Sequence, residues 1–142
     1  VLVVDDQEDA RRLMRTALTA EDVVVAEAED GRAALAAYWA ALAADAPFDV
    51  VVVDLAMPRM DGTALVRRIR DNERRERERA RTALVAGAPL VPTVPRARIV
   101  GVTAYPALQL RRRELEEMAD CVLEKPFSPD ELRRAVRGEA DG

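Results

Sequence analysis

Apolar and polar residues along the chain alternate between two periods. Residues 1–5 are a short apolar run, after which Ala10, Leu13, Met14, Ala17 and Leu18 recur at helical spacing. Residues 23–28 read as a second strand, and Leu35, Tyr38, Trp39 and Leu42 share one side of a second helix that Asp30 is placed to cap. Residues 50–53 are four consecutive valines, the signature of a strand buried on both faces, and Leu65, Val66 and Ile69 mark a third helix. Residues 99–102 predict a fourth strand; Leu108, Leu115 and Met118 a fourth helix; residues 121–123 a fifth strand; Leu132, Ala135 and Val136 a fifth helix. That last helix has a marked start, with Ser128 as N-cap, Pro129 at the first helical position and Glu131 completing a capping box. Five strand–helix units in alternation predict an α/β fold, a doubly wound parallel sheet with helices on both faces.

One connection breaks the spacing. Between the third helix and the fourth strand lies an arginine-rich stretch followed by Gly87, Pro89, Pro92 and Pro95, far longer than the roughly 2–6 residues usual there. Asp71 with Arg75 and Glu73 with Arg77 are acid-before-base pairs four apart, so the helix is expected to continue outward into solvent before the prolines end it. Residues 67–81 hold eight arginines and four acids. The stretch reads as a solvated helical extension or as a docking surface for a protein or anionic partner.

The strand ends carry the chemistry. The first strand ends in Asp5 and Asp6, the third in Asp54, the fourth in Thr103, and the fifth runs into Lys125, Pro126 and Phe127. Open α/β sheets place their sites at such carboxyl ends, where the strand order reverses. If the strand order is 2-1-3-4-5, the first and third strands are neighbours and their three carboxylates converge. Three ionised carboxylates in a partly buried cleft demand a cation, and an oxygen-only donor set suits a hard octahedral ion such as Mg²⁺. Lys125 is the sole lysine among the 22 basic residues. An arginine fork needs more room than a compact ammonium reaching into a carboxylate cleft, which gives that choice a reason.

Composition limits the alternatives. With 142 residues, 49% of them hydrophobic and 34% charged, the chain is about one soluble domain. No apolar run approaches the ~20 residues of a membrane span, and no signal peptide is visible. The net charge of −4 argues against direct nucleic-acid binding. Histidine is absent, which removes Ser-His-Asp and Cys-His triads, histidine metal sites and a phosphohistidine-carrier role. The single Cys121 fits a reducing cytoplasm and reads as a small buried strand residue; Trp39 reads as core or the edge of helix packing. The first strand is followed by Asp5, Asp6 and Gln7 rather than the D-x-D of an aspartyl phosphatase, and no glycine-rich nucleotide turn is present.

"VLVVDDQED", "VVVDLAMPRMDG", "VTAY" and "EKPF", in this order and at four successive strand ends, resemble the receiver domain of two-component response regulators. The resemblance covers nearly the whole chain, the arginine-rich insertion excepted. It implies the flavodoxin-like (receiver) fold, with a receiver domain over residues 1–138, an inserted helical extension and Pro-rich loop over 71–97, and a tail or linker stub at 139–142. The chain opens inside the first strand with no Met and ends just past the fifth helix, as expected of a piece of a longer regulator or hybrid kinase.

The resemblance also implies roles. Asp54 would accept a phosphoryl group from a phosphohistidine of a histidine kinase or other donor protein. Asp6 and Asp54 would ligate Mg²⁺ directly, with the backbone carbonyl of Ala56 as a third ligand and Asp5 acting through water. Lys125 and the Thr103 hydroxyl would take phosphoryl oxygens, drawing the fourth- and fifth-strand loops toward Asp54 and so switching a protein-interaction surface. The chain would catalyse only its own phosphorylation and autodephosphorylation. Ala56 and Tyr105, two residues after the acceptor and the threonine, would border the path of a hydrolytic water; Tyr105 either shields the phosphoryl or is an ordinary loop aromatic. Val122 departs from the pattern, standing where receivers usually carry the switch aromatic. Homodimerisation and the downstream target or output domain stay open, and the alternative function is a receiver-like interaction module that works without phosphorylation.

Overall fold

The computed structural model describes residues 1–55, 62–89, 94–104 and 118–139. Five strands, β1 (Leu2–Val4), β2 (Ala26–Ala28), β3 (Val50–Asp54), β4 (Arg98–Thr103) and β5 (Cys121–Glu124), form one all-parallel sheet in the order β2-β1-β3-β4-β5. Its centre is β3, every residue of which is buried, as four successive β-branched valines anticipate. The described helices are α1 (Glu8–Thr19), α2 (Gly31–Ala43), α3 (Gly62–Val85) and, last in the chain, α4 (Pro129–Arg137). The helix expected around Leu108 and Leu115 lies outside the described residues.

Alternation along the strands sends side chains to two apolar layers. Leu2, Val4, Val51, Val53 and Ile99 pack with Ala34 and Tyr38 of α2 and Leu65, Val66 and Ile69 of α3. Val3, Val50, Val52, Val100, Val102 and Leu123 face Met14 and Leu18 of α1 and Leu132 and Ala135 of α4. Capping follows the sequence: Asp30 accepts from Ala33 N at 2.8 Å, and Ser128 and Glu131 form the reciprocal capping box.

Three expectations need correction. The second strand is confined to Ala26–Ala28 rather than 23–28, because pairing begins with Leu2 opposite Ala26; Val24 is 86% exposed. Leu13, expected on the packed side of α1, is 73% exposed, since Met14, Ala17 and Leu18 occupy the sheet-facing side. In the arginine-rich stretch the helix continues outward to Val85 as expected, but its acids pair differently. Asp71 bonds Arg74 at 2.7 Å, while Glu73 turns inward, bonding Arg70 at 2.6 Å and accepting from Ala97 N at 2.9 Å. A backbone donor 24 residues away outbids a neighbour one turn along because the buried N–H of Ala97 must be paired. Trp39 lies at the edge of the packing, 44% exposed, with its ring edge-on to Tyr38 at 5.4 Å. Cys121 is on β5 but only half-buried.

Candidate functional site

Strand register builds the site. Leu2, Val3 and Val4 of β1 lie opposite Val51, Val52 and Val53 of β3, so the next residues, Asp5 and Asp54, arrive level at the carboxyl edge. Alternation places both on the same side of the sheet as Val3 and Val52, and Lys125 joins them because Leu123, two residues earlier on β5, points that way too. Oxygens of Asp5, Asp6 and Asp54 all lie within 4.8 Å of one another. Asp5 and Asp54 are buried, whereas Asp6 is exposed at the mouth.

The Lys125 ammonium sits among these acids, donating to Asp5 Oδ2 at 3.1 Å and lying 3.6 Å from Asp54 Oδ2. Its burial favours the neutral amine, but the hydrogen bond to Asp5 and the charges of Asp54 and Asp5 outweigh this, raising its pKa above the ordinary lysine value. The other oxygen of Asp5 accepts from Gln7 N at 2.9 Å, fixing the turn into α1. Thr103 is buried at the end of β4, and Lys125 N donates to its carbonyl at 2.8 Å, holding the β4 and β5 ends together.

Two contributions were not read from the sequence. Arg11 Nη1 donates to the backbone carbonyl of Asp5 at 2.7 Å and its Nε lies 3.6 Å from Glu27, tying the acidic turn to α1 and β2. Only the repeat of arginine along α1 hinted at it. Gly62, the first residue of α3, is pressed so closely onto β3 that an added Cβ would come 2.1 Å from the carbonyl oxygen of Asp54. The Asp-Gly step was visible in sequence, but this close approach was not. Val122 is half-buried and packs against the layer formed by α2 and α3. Ala56 and Tyr105 lie outside the described residues.

The residues present fit a hard divalent cation. The clustered donors are all carboxylate oxygens, two of them are desolvated, and the chain places its own ammonium against both. Such a cluster relieves its repulsion by taking a cation, and oxygen donors select Mg²⁺ over softer metals.

A sequence profile described as the response regulator receiver domain matches residues 1–88. The chain is similar to the transcriptional regulatory protein ResD of Bacillus subtilis, with 31% identity over 137 residues that make up 96% of this chain and 46% of ResD. It is 34% identical, again over 137 residues and 96% of its length, to the response regulator PleD of Caulobacter vibrioides, covering 25% of that protein. The chain thus spans less than half the length of these relatives. Among solved structures it resembles the response regulator TrrA of Thermotoga maritima, determined in complex with Mg²⁺-BeF, at 27% identity and a TM-score of 0.69 over 96% of this chain and 95% of that one. With the sheet order, the acidic cluster and these similarities in agreement, the chain belongs to the receiver domains of two-component response regulators.

Proposed function

We propose that this receiver accepts a phosphoryl group on Asp54 from the phosphohistidine of a histidine kinase or related donor and passes the signal on as a change of surface. The observation that carries this reading is the single ammonium, Lys125, held between buried Asp5 and the neighbouring Asp54. A lone ion pair would need one carboxylate; an acceptor site needs one to react and others to hold a cation.

A carboxylate oxygen of Asp54 attacks phosphorus, the P–N bond of phosphohistidine breaks, and an aspartyl phosphate forms. Mg²⁺ held by Asp6, Asp54 and the carbonyl of Ala56 would supply charge neutralisation for the transferring phosphoryl, whose loose transition state mainly demands positioning and electrostatic stabilisation. Asp5, with one oxygen on Lys125 and the other on Gln7 N, suits a role through water rather than direct ligation. After transfer, Lys125 turns from Asp54 to a phosphoryl oxygen and the Thr103 hydroxyl donates to another. Since Lys125 N is bonded to the Thr103 carbonyl, both loop ends move together. With Val122 in the place of the usual aromatic, the movement is carried by these backbone-linked ends rather than by ring rotation.

On this reading the chain is not a turnover enzyme; it catalyses its own phosphorylation and autodephosphorylation. A histidine-kinase donor and a single cysteine, Cys121, both suit the cytoplasm, and no described helix is long and apolar enough to cross a membrane. Incubation with acetyl phosphate and Mg²⁺, read by intact mass, is expected to add one phosphoryl group to the protein and none to Asp54→Asn. An unphosphorylated wild-type protein, or a modified Asp54→Asn, overturns the proposal, the former in favour of an interaction module that works without phosphorylation.

A further inference from the structure

The end of the sheet opposite the acceptor site carries two unbalanced charge distributions. Glu73 is level with the start of β4 through its bond to Ala97 N. From there α3 continues to Val85, about 18 Å of helix beyond the amino-terminal edge of the sheet. On this overhang Arg74, Arg77 and Arg81 follow one another at intervals of three or four, and Leu84 and Val85 stand three and four residues beyond Arg81, so all five lie along one face. All five are exposed, Leu84 at 55% and Val85 at 85%. Among the described residues Arg74 makes only an exposed pair with Asp71, and Arg77 and Arg81 make none.

At the same edge, the connections from α1 to β2 and from α2 to β3 carry Asp22, Asp45 and Asp49, all exposed, with Val24 beside them. Other charges at this edge are already matched: Glu21 by Arg137 and Arg133, and Asp120 by Arg70 and Arg96. Asp22, Asp45 and Asp49 make no ion pair among the described residues, although Asp49 lies near enough to the amino-terminal ammonium to raise its pKa against the lowering effect of burial.

The overhang cannot turn its arginine face onto its own rim. Asn72, on the opposite side of α3, bonds Tyr38 of α2, whereas Arg70, one turn before Arg74 on the arginine side, reaches Met118 O and Asp120. The basic face is therefore directed away from α2 and from the loop that follows it.

We infer that a second copy of this chain docks on the α3 overhang. In a twofold pair each overhang lies across the acidic rim of the other copy, bringing arginine forks to carboxylates and Leu84 and Val85 toward the apolar surface at Val24. Residues 67–81 hold eight arginines and four acids in a chain of net charge −4, so the rest of the surface is more acidic than the whole and supplies the complement. With a screening length of about 8 Å at physiological salt, these local charges outweigh the net repulsion of two acidic copies. The contact uses none of the residues of the phosphoryl site at the other edge.

Sedimentation equilibrium of the unmodified protein is expected to show a monomer–dimer equilibrium whose Kd weakens at least ~10-fold between about 50 mM and about 500 mM NaCl. The overhang variant R74E/R77E/R81E is expected to remain monomeric. So is the rim variant D22N/D45N/A46K/D49K, with asparagine chosen where φ is 58° at Asp22 and 56° at Asp45, a region asparagine tolerates. An equimolar mixture of the two variants is expected to form a one-to-one dimer, because each overhang again meets a rim of opposite sign. Far-UV circular dichroism establishes that each variant is folded, and where a charge reversal unfolds the chain, R77Q/R81Q is expected to weaken the wild-type Kd at least ~10-fold. A wild-type monomer at every concentration, a salt-insensitive dimer, or mixed folded variants that stay apart would each overturn the inference.

Discussion

Replacing Lys125 with Met keeps the buried stem and removes the one cation that, among the described residues, sits between the site carboxylates. Oxygens of Asp5 and Asp54 lie within 4.8 Å of each other, a separation at which two unit charges repel by about 3 kcal/mol at an effective dielectric of about 20. The ammonium offsets that repulsion from 3.1 Å and 3.6 Å, and its side chain is 25% exposed, so solvent replaces only part of its effect. Truncating one partner of such a pair costs about 2–4 kcal/mol after allowing for that solvent, a fall of roughly 5–15 °C in Tm for a domain of this size. Urea unfolding followed through Trp39, the chain's single tryptophan, measures it in buffers with EDTA and with Mg²⁺. Mg²⁺ at about 100 times its Kd stabilises a site by about 3 kcal/mol. Because the variant has lost the competing ammonium, the gap between the two proteins is expected to shrink by at least half when Mg²⁺ is added. Adding Asp54→Asn to the variant removes one of the repelling charges and is expected to recover part of the loss without metal. A deficit below about 1 kcal/mol in EDTA, or the same deficit with and without Mg²⁺, would refute the electrostatic account of the site.

Three further outcomes are expected. Glu73→Ala strips Arg70 of its inward partner and leaves Ala97 N unpaired, so chemical denaturation should show a loss of about 2–4 kcal/mol against less than about 0.5 kcal/mol for Glu78→Ala on the exposed face. Asp120 is held below the usual carboxylate range: burial alone would raise it, but the Ile99 N–H, the Arg96 hydrogen bond and the charges of Arg70 and Arg96 outweigh that. Its stabilising contribution is therefore complete above the unfolded value near pH 4 and disappears as pH falls through the lower folded value, so a stability series from about pH 5 to about pH 2 should be flatter for Asp120→Asn than for the parent. Ala56 has no polar group to orient a hydrolytic water and Tyr105 is bulky, so phosphorylated protein followed by intact mass should be long-lived, and Ala56→Asn with Tyr105→Glu should shorten its lifetime more than either change alone.

Much of the architecture was legible because buried parallel strands write themselves as runs of β-branched residues. Residues 50–53 and 99–102 were found within a residue of β3 and β4, and Asp30, Ser128 and Glu131 announced their caps. The site was legible for a related reason: acids and the one lysine placed just past apolar runs must end at the same edge of a parallel sheet. What escaped depends on partners distant in sequence. Glu73 looked like half of a surface pair because the helix rule sees only neighbours four residues away, while its true partner, Ala97 N, is supplied by the return of the insertion. Val24 looked like strand because hydrophobicity does not reveal where the adjacent strand starts to pair. The close approach of Gly62 to Asp54 was hidden for the same reason, being a distance between backbones rather than a pattern of side chains.

The two edges of the sheet manage their charge in opposite ways, and this separates their functions. At the carboxyl edge, like charges are forced together and partly buried, so the local state changes sharply when a cation or phosphoryl group arrives. At the amino edge, unlike charges of the described residues are held apart, the arginines on a helix face directed away from α2 and the aspartates on loops, so that on the docking proposed above they are brought together by a second copy. Arg70 is the described side chain that reaches from the base of the overhang to Met118 and Asp120, just before β5, the strand that leads into Lys125. A shift of β5 on phosphorylation would thus pass through a side chain locked by Glu73, Asp120 and two backbone carbonyls. Arg70→Lys is therefore expected to reduce the change in hydrogen exchange that phosphorylation produces along α3, since a single ammonium cannot replace a planar fork that bonds four groups at once, and an unchanged response in that variant would refute this route.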